Sequence, residues 1–228
     1  MSEIFKEKPK AVFFDWDGTL ADSYEYLNGA HGHVRQIMGL RPFKEGEFKH
    51  YFGKPREILY EILYGKENFD RAKELFGEYV KNNRHILKPV DGALDLLLLL
   101  REANVPMGIV TNKLAELVGG EIEHFGWNGY FDAAIVGAGE AGADKPSPEP
   151  LLLAIKRSGE KLDEKCGDVW YVGDTPNDLH CALQAGCPVI MISDDPKIID
   201  LCHKESENSN HNIMVVKNCR ELCGFLLQ

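Results

Sequence analysis

The sequence predicts an α/β fold: a Rossmann-like, doubly wound parallel sheet that carries an inserted α-helical domain. Short apolar runs alternate with helical patterns from about residue 105 to the end of the chain, and this alternation indicates a parallel sheet covered on both faces. Residues 21–87, which follow the first apolar run, contain helical patterns and no convincing strand. We therefore expect an α/β core of residues 1–20 and 88–228 and a helical cap of residues 21–87.

The first predicted element is a strand at 11–14, whose sequence Ala-Val-Phe-Phe suits a buried position. The insertion then shows helical patterns at 24–38, 55–64 and 69–85. Further strands are expected in the core, at 107–110, 131–136, 168–172, 188–192 and 213–216. Helices are expected around them, at 91–103, 114–125, 151–158, 176–185, about 196–202 and the end of the chain. Polar residues at 205–212 indicate a surface loop.

Composition argues against several functional classes. A net charge of −10 without a long basic run does not suit a nucleic-acid surface. The longest apolar run, residues 96–100, is too short to cross a bilayer, and the charged first ten residues lack the apolar stretch of a signal peptide. We therefore expect a soluble, cytoplasmic protein without a nucleic-acid or membrane partner, either a monomer or a homodimer.

The six cysteines all lie in the last third of the chain, and none of them shows C-x-x-C spacing. We expect buried free thiols, which behave as small apolar side chains. A metal site that joins Cys219 and Cys223 to Cys202 and His203 is the alternative.

Residues 137–142 fit the glycine pattern G-x-G-x-x-G of dinucleotide-binding proteins. That pattern requires a helix that opens at its glycines. Pro146 and Pro148 follow instead, so a helix is not expected to begin before Pro148, and we expect no nucleotide cofactor.

Two carboxylates, Asp15 and Asp17, directly follow the strand at 11–14. Their i, i+2 spacing places both on one face of an extended chain, and Gly18 marks the turn that ends it. Two like charges this close resist ionising together unless a cation shares them, so the pair favours a hard metal such as Mg²⁺. The alternative is a polar turn in which both acids are solvated or cap the chain.

Four polar signals fall at or just after the ends of predicted strands. Because these ends lie along one edge of a parallel sheet, the side chains are expected to converge in space. Carboxylates, a hydroxyl and a cation together suit phosphoryl transfer, in which positioning and charge neutralisation carry most of the catalysis. The signals are Asp15 with Asp17, Thr111 with Asn112, Lys145, and Asp174 with Asp178.

These segments, read in order, resemble the four motifs of the haloacid dehalogenase superfamily. They are Asp15-Trp16-Asp17-Gly18-Thr19, Thr111-Asn112, Lys145-Pro146 and Gly173-Asp174-Thr175-Pro176-Asn177-Asp178. The helical insertion resembles the small cap of the phosphoglycolate-phosphatase-like branch. The resemblance implies a Mg²⁺-dependent phosphatase that hydrolyses a small phosphorylated metabolite through an aspartyl-phosphate.

The resemblance also implies residue roles. Asp15 would be the nucleophile and Asp17 the general acid and base. Thr111, Asn112 and Lys145 would bind the phosphoryl group. Mg²⁺ would bind Asp15, the backbone carbonyl of Asp17 and Asp174, and the supporting residues would be Asp178, Gly18 and Thr19.

Asp17 separates this chain from two other branches. True dehalogenases lack an acid at this position, because a halide leaves without a proton. Phosphonoacetaldehyde hydrolases resemble the chain at Trp16, but they lack the second acid and need a cap lysine, for which Lys49 and Lys54 are the candidates. A sugar-phosphate mutase of the β-phosphoglucomutase type and an inorganic pyrophosphatase stay open. A non-catalytic binding module of the same fold is the alternative from another class.

The cap segment at 52–56 resembles the loop that reaches into the site in related phosphatases. It offers Lys54 and Arg56 to a carboxylate or a second phosphate on the substrate. The alternative, to which we give equal weight, is that both residues are solvated at the start of a helix and do not contact the substrate. The motifs do not choose among phosphoglycolate, other phosphorylated acids, sugar phosphates and pyrophosphate.

Overall fold

A computed structural model describes residue 5 and residues 7–159, 166–208 and 212–227. The strands in chain order are β1 (Ala11–Phe14), β2 (Ala21–Asp22), β3 (Lys88–Pro89), β4 (Met107–Val110), β5 (Ile135–Val136), β6 (Val169–Gly173), β7 (Val189–Ile192) and β8 (Ile213–Val216). The helices are α1 (Tyr24–Ile37), α2 (Arg56–Tyr64), α3 (Phe69–Asn82), α4 (Ala93–Glu102), α5 (Ala115–His124), α6 (Glu149–Arg157), α7 (Pro176–Ala185), α8 (Pro196–Asn208) and α9 (Cys219–Leu226).

Six strands form one parallel sheet in the order β5-β4-β1-β6-β7-β8. β1 lies at its centre, where the chain first adds strands on one side and later on the other. Open α/β sheets place their ligands at such a switch point, beyond the carboxyl ends of the strands. The predicted doubly wound α/β class is confirmed.

Both faces of the sheet are buried, which explains the uninterrupted apolar runs of the strands. On β1, Val12 and Phe14 join a cluster that includes Leu96 of α4 and Leu222 of α9. Ala11 and Phe13 point the other way, into a second cluster with residues of α6, α7 and α8. The two-residue period of the strand thus divides β1 between two cores.

The three helices α1–α3 lie between β2 and β3 in the chain and add no strand to the six-stranded sheet. β2 and β3 pair antiparallel, Ala21 with Pro89 and Asp22 with Lys88. Both connections of the helical block therefore pass through one short ribbon. The domain boundaries at residues 21 and 87 stay a prediction, and the ribbon lies where they were placed.

Three predicted elements differ from the structure by more than two residues, and the short strands β2 and β3 were not predicted. The strand expected at 131–136 is reduced to Ile135–Val136. Just before it, the Asp132 carboxylate accepts from the Met107 amide of β4, and the Ser158 hydroxyl accepts from the Ala134 amide. The helix expected at 69–85 ends at Asn82, and the amide of Asn83 caps the Tyr79 carbonyl at 2.9 Å. α8 continues to Asn208, so residues 205–208 are not a loop, while 209–211 lie outside the described residues.

All six cysteines are free thiols, five of them buried and Cys223 half-buried, as expected from their spacing. No helix of the described residues has both the length and the apolar character needed to cross a membrane.

Candidate active site

Asp15 and Asp17 lie at the centre of the site because β1 places them there. The Asp15 amide donates to the Val172 carbonyl of β6 at 2.8 Å and continues the sheet by one residue. The chain then turns, with the amides of Leu20 and Ala21 both bonded to the Trp16 carbonyl. Both carboxylates line one cavity, as their spacing predicts, whereas Trp16 is fully buried beneath them.

Gly18 allows this turn to pass close to Asp174. Its φ of +91° is open to glycine, and a Cβ at this position would lie 2.4 Å from Asp174 Oδ2. Next to it, the Thr19 hydroxyl donates to Asp174 Oδ1 at 2.8 Å. Gly18 and Thr19 of the first motif therefore position the carboxylate of Asp174, which belongs to the fourth motif.

Lys145 is a buried cation that joins the acids. Its Nζ lies 2.7 Å from Asp15 Oδ1 and 2.6 Å from Asp178 Oδ1. It also contacts the Tyr171 hydroxyl at 2.9 Å and the Val110 carbonyl at 3.0 Å. Burial opposes the charged amine, but Asp15 and Asp178 more than offset this and raise the pKa of Lys145.

Asp178 holds the turn at the start of α7. Its Oδ2 accepts hydrogen bonds from the amide and the hydroxyl of Thr175, at 2.9 and 2.6 Å. Its Oδ1 accepts from Lys145 and from the hydroxyl of Tyr171. Both oxygens are thus engaged by the protein, and the supporting role of Asp178 stays a prediction.

The carboxylates of Asp15, Asp174 and Asp178 offer donor atoms that lie within 4.8 Å of one another. Burial raises the pKa of Asp15 to about 7 against the opposing charge of Lys145. Burial, with Asp178 and Asp15 beside it, raises the pKa of Asp174 well above its usual value. A cluster of oxygen donors that resist ionising together fits a hard divalent cation such as Mg²⁺.

Thr111 and Asn112 follow β4 and line the same cavity. The Thr111 hydroxyl accepts a hydrogen bond from the Lys113 amide at 3.2 Å. The Asn112 side chain bonds the backbone of Lys145 on both sides, accepting from its amide at 2.9 Å and donating to its carbonyl at 3.0 Å. Asn112 therefore positions the loop that carries Lys145.

The structure adds two residues to the site, Lys113 and Glu121, that the sequence patterns did not indicate. Lys113 Nζ lies 2.7 Å from Asp17 Oδ1 and 2.9 Å from Glu121 Oε2. Trp16 Nε1 donates to the same Glu121 oxygen at 2.6 Å. The only signal in the sequence was a lysine directly after Thr111-Asn112, and its partners lie 96 and 8 residues away.

The cavity has a volume of about 590 Å³ and lies between the strand ends and the helical insertion. Lys54 and Arg56 line the cavity, whereas Lys49 is exposed and does not line it. The Nε and Nη1 atoms of Arg56 are buried and have no hydrogen-bond partner among the described residues. The guanidinium lies 5.7 Å from the centre of the Phe69 ring.

Comparisons with known proteins agree with this geometry. The family described as haloacid dehalogenase-like hydrolase matches residues 12–192. The phosphoglycolate phosphatase of Chromobacterium violaceum is 32% identical over 192 residues, which cover 80% of this chain and 84% of that protein. The phosphoglycolate phosphatase of Aquifex aeolicus is 29% identical over 178 residues, which cover 78% and 81%.

Solved structures show the same fold. A predicted phosphoglycolate phosphatase from Haemophilus somnus superposes with a TM-score of 0.80 at 20% identity, covering 97% of this chain and 99% of that one. A hydrolase of the haloacid dehalogenase superfamily from Ehrlichia chaffeensis gives 0.62 at 28% identity, covering 97% and 98%. The expected enzyme class, a hydrolase with phosphatases among its relatives, is confirmed. The chain belongs to the haloacid dehalogenase-like hydrolases.

Proposed function

We propose that the protein is a Mg²⁺-dependent phosphatase that hydrolyses a small phosphomonoester through an aspartyl-phosphate on Asp15. The observation that carries this proposal is the grouping of four side chains at the carboxyl edge of the parallel sheet: Asp15, Asp17 and Lys145 line one cavity, and Asp174 lies beside Asp15. The names of the relatives, phosphoglycolate phosphatases, support the same reaction.

Asp15 attacks phosphorus in the first step, and Asp17 gives a proton to the departing alcohol oxygen. Lys145 contacts Asp15 and holds the carboxylate in place while the phosphoryl group approaches. In the second step Asp17 takes a proton from water, whose oxygen attacks phosphorus and releases Asp15. We assign the phosphoryl oxygens to the Thr111 hydroxyl and Lys145, which both line the cavity.

Asp15, Asp174 and the backbone carbonyl of Asp17 are the proposed ligands of Mg²⁺. When bound, the ion supplies charge neutralisation at the phosphoryl oxygens. The raised pKa of Asp15 and that of Asp174 support this assignment, because a divalent cation between the two carboxylates stabilises their ionised forms.

The substrate proposed for the first test is a phosphorylated carboxylic acid such as phosphoglycolate. Two guanidinium nitrogens of Arg56 are buried without a partner among residues 5, 7–159, 166–208 and 212–227, and leaving such donors unpaired is unfavourable. A carboxylate on the substrate supplies the missing acceptors, and the planar guanidinium matches its geometry. Lys54, on the same loop, adds positive charge at the cavity wall.

Phosphate release from phosphoglycolate and a panel of other phosphate esters, measured with and without Mg²⁺, tests the proposal. We expect turnover with Mg²⁺, none in excess chelator, and none for Asp15→Asn. Asp200→Asn, which changes an exposed acid of α8, is the control and should be as active as wild type. Full activity in chelator refutes the metal assignment. Conversion of a sugar phosphate into its isomer identifies a mutase, and an inactive protein across the panel identifies a binding module.

A further inference from the structure

The side chain of Asp17 is held by a buried chain of charged groups. Lys113 lies between Asp17 and Glu121, at 2.7 and 2.9 Å, and both Lys113 and Glu121 are nearly inaccessible to solvent. These contacts connect the cavity to the interior of the core. The function proposed above gives Lys113 and Glu121 no role.

The two oxygens of Asp17 have different surroundings. Oδ1 accepts the hydrogen bond from Lys113. Within the described part of the chain, no protein donor bonds Oδ2, and the side chain keeps 16% of its surface exposed at the cavity. Lys113 therefore fixes one oxygen and leaves the other free to exchange a proton with a ligand.

Glu121 makes the arrangement rigid. Its Oε2 accepts from both Lys113 and Trp16. The Trp16 indole is fully buried and packs against Phe125 and Trp127, with ring centroids 5.8 and 6.0 Å away. Trp16 is the residue before Asp17 in the chain. The contacts that run from Asp17 through Lys113 and Glu121 to Trp16 therefore tie the Asp17 side chain back to the backbone next to it.

Stability alone does not account for these charges. Removing charged groups from water costs free energy that a buried ion pair often fails to recover, and well-packed apolar residues frequently do as well. Glu121 illustrates this cost, because its Oε1 is buried and has no hydrogen-bond partner in the part of the chain that the structure describes. A role in placing Asp17 explains why charged groups occupy this position.

We propose that Lys113 and Glu121 are positioning residues that hold Asp17 with Oδ2 directed at the leaving-group oxygen. This inference rests on the proposed phosphatase function. In the first step the Asp15–phosphorus bond forms, the phosphorus–alcohol bond breaks, and the proton on Oδ2 moves to the alcohol oxygen. In the second step the water oxygen bonds phosphorus, its proton moves to Oδ2, and the Asp15–phosphorus bond breaks.

The test compares two substrates in rapid-mix kinetics, phosphoglycolate and nitrophenyl phosphate. An alkoxide needs a proton to leave, whereas nitrophenolate departs as an anion. General acid–base assistance is worth about 10²–10⁴-fold, so losing the placement of Asp17 removes part of it. For Lys113→Met we expect phosphoenzyme formation from phosphoglycolate to slow by roughly 10–100-fold and that from nitrophenyl phosphate by less than about 3-fold.

Two further variants and a control separate positioning from a general structural effect. Lys113→Arg should recover part of the rate with phosphoglycolate, and Glu121→Gln should slow the same step less than Lys113→Met does. Lys204→Met, which removes the lysine of an exposed pair with Asp200 on α8, should leave both rates unchanged. Equal slowing of both esters by Lys113→Met overturns the inference.

A double variant provides the decisive comparison. In an Asp17→Asn background, the acid is already gone, so adding Lys113→Met should change the rates by less than about 2-fold. If Lys113→Met slows the Asp17→Asn protein by the same factor as it slows the wild type, Lys113 does not act through Asp17.

The wild-type protein separates the two proposals. If it releases no phosphate from either ester, the proposed function fails. If the wild type is active but Lys113→Met slows both esters equally, only the positioning role is refuted.

Discussion

At residue 18 the chain has no room for a side chain. Gly18 combines a φ of +91° with a close approach to Asp174, whose Oδ2 would lie 2.4 Å from an added Cβ. Gly186, after α7, has a similar positive φ of +73°, but no atom lies within 4 Å of its Cβ position. A side chain at either position strains the backbone, whereas only a side chain at residue 18 would also displace Asp174. Comparing the two positions therefore separates the two effects.

We expect Gly18→Ala to displace the Asp174 carboxylate, which lowers activity by roughly 10²-fold and raises the Mg²⁺ concentration needed for half-maximal activity. Gly186→Ala should lose about 1 kcal/mol of unfolding free energy and keep its activity. Titrating Mg²⁺ into both variants while following phosphate release makes the comparison. An unchanged Mg²⁺ response in Gly18→Ala contradicts a metal role for Asp174.

Arg56 provides a second prediction for a single residue. If its unpaired nitrogens bind a carboxylate of the substrate, Arg56→Ala should raise KM for phosphoglycolate by about 10-fold or more, the cost of a charge-assisted hydrogen-bond pair. For nitrophenyl phosphate, which has no carboxylate, the change should be small. Arg71→Ala, on the exposed surface of α3, is the matched control. Equal changes for both substrates would leave Arg56 without a recognition role.

The sequence predicted the convergence of this site but not its internal pairing. Asp15, Asp17, Lys145 and Asp174 follow parallel strands or the loops after them, and sheet topology alone brings such positions together. The pairing of Lys113 with Asp17 depends on side-chain directions across 96 residues of chain, which no local pattern encodes.

At the scale of elements, long periodic helices and fully buried strands were predicted well, because their patterns are set by burial. The shortened strand β5 was not, since the Asp132 side chain replaces a ladder hydrogen bond by a contact that the pattern does not show. The ribbon of β2 and β3 also escaped prediction, because two-residue strands have no periodicity to recognise.

That ribbon and one side-chain contact suggest how the helical insertion moves. The ribbon connects both ends of the insertion to the core, and the Asn177 amide donates to the Gly53 carbonyl of the cap loop at 2.8 Å. A Cβ on Gly53 would lie 2.9 Å from Thr175, so the loop is close to the core here. We propose that the insertion opens about the ribbon and that Asn177 favours the closed arrangement.

Asn177→Ala removes this contact, and a hydrogen bond of this kind is worth about 1 kcal/mol, a factor of roughly 5 in an equilibrium. We expect KM to rise by about that factor and the amides of residues 51–54 to exchange faster with solvent. Asn68→Ala, which removes an amide–carbonyl bond of the same 2.8 Å length within the insertion, should change neither. If amide exchange in the loop is unaffected by Asn177→Ala, Asn177 does not hold it closed.

At the scale of the whole molecule, the stability should depend on pH through one buried histidine. His31 of α1 is 2% exposed and lies among aromatic rings, with the centroids of Phe76 and Phe48 at 4.8 and 5.3 Å. Its Nδ1 lies 2.6 Å from the Tyr64 hydroxyl. Burial, together with the positive charge of Arg35, lowers the pKa of His31 from 6.5 to about 3.

Because the folded protein binds this proton only at much lower pH than the unfolded chain, protonation favours unfolding between these two values. The contribution of His31 is fully present above pH 6.5 and is lost as the pH falls towards 3. From pH 7.5 to pH 5 it should decrease by about 2 kcal/mol, at about 1.4 kcal/mol per unit once the unfolded histidine is protonated. His31→Asn keeps a polar group near Tyr64 but does not titrate, so its unfolding free energy should fall by about 2 kcal/mol less than that of wild type over this range.

Urea unfolding of both proteins at the two pH values measures the difference. The carboxylates titrate in both, and their effects cancel in the comparison between variants. His203→Asn, on the exposed face of α8, controls for the loss of an imidazole that is not buried. Because His31 lies in the helical insertion, unfolding is followed both by far-UV circular dichroism and by the fluorescence of Trp16, Trp127 and Trp170 in the core. Parallel pH dependence in wild type and His31→Asn would show that His31 titrates alike in the folded and the unfolded protein, which contradicts the lowered pKa of the buried imidazole.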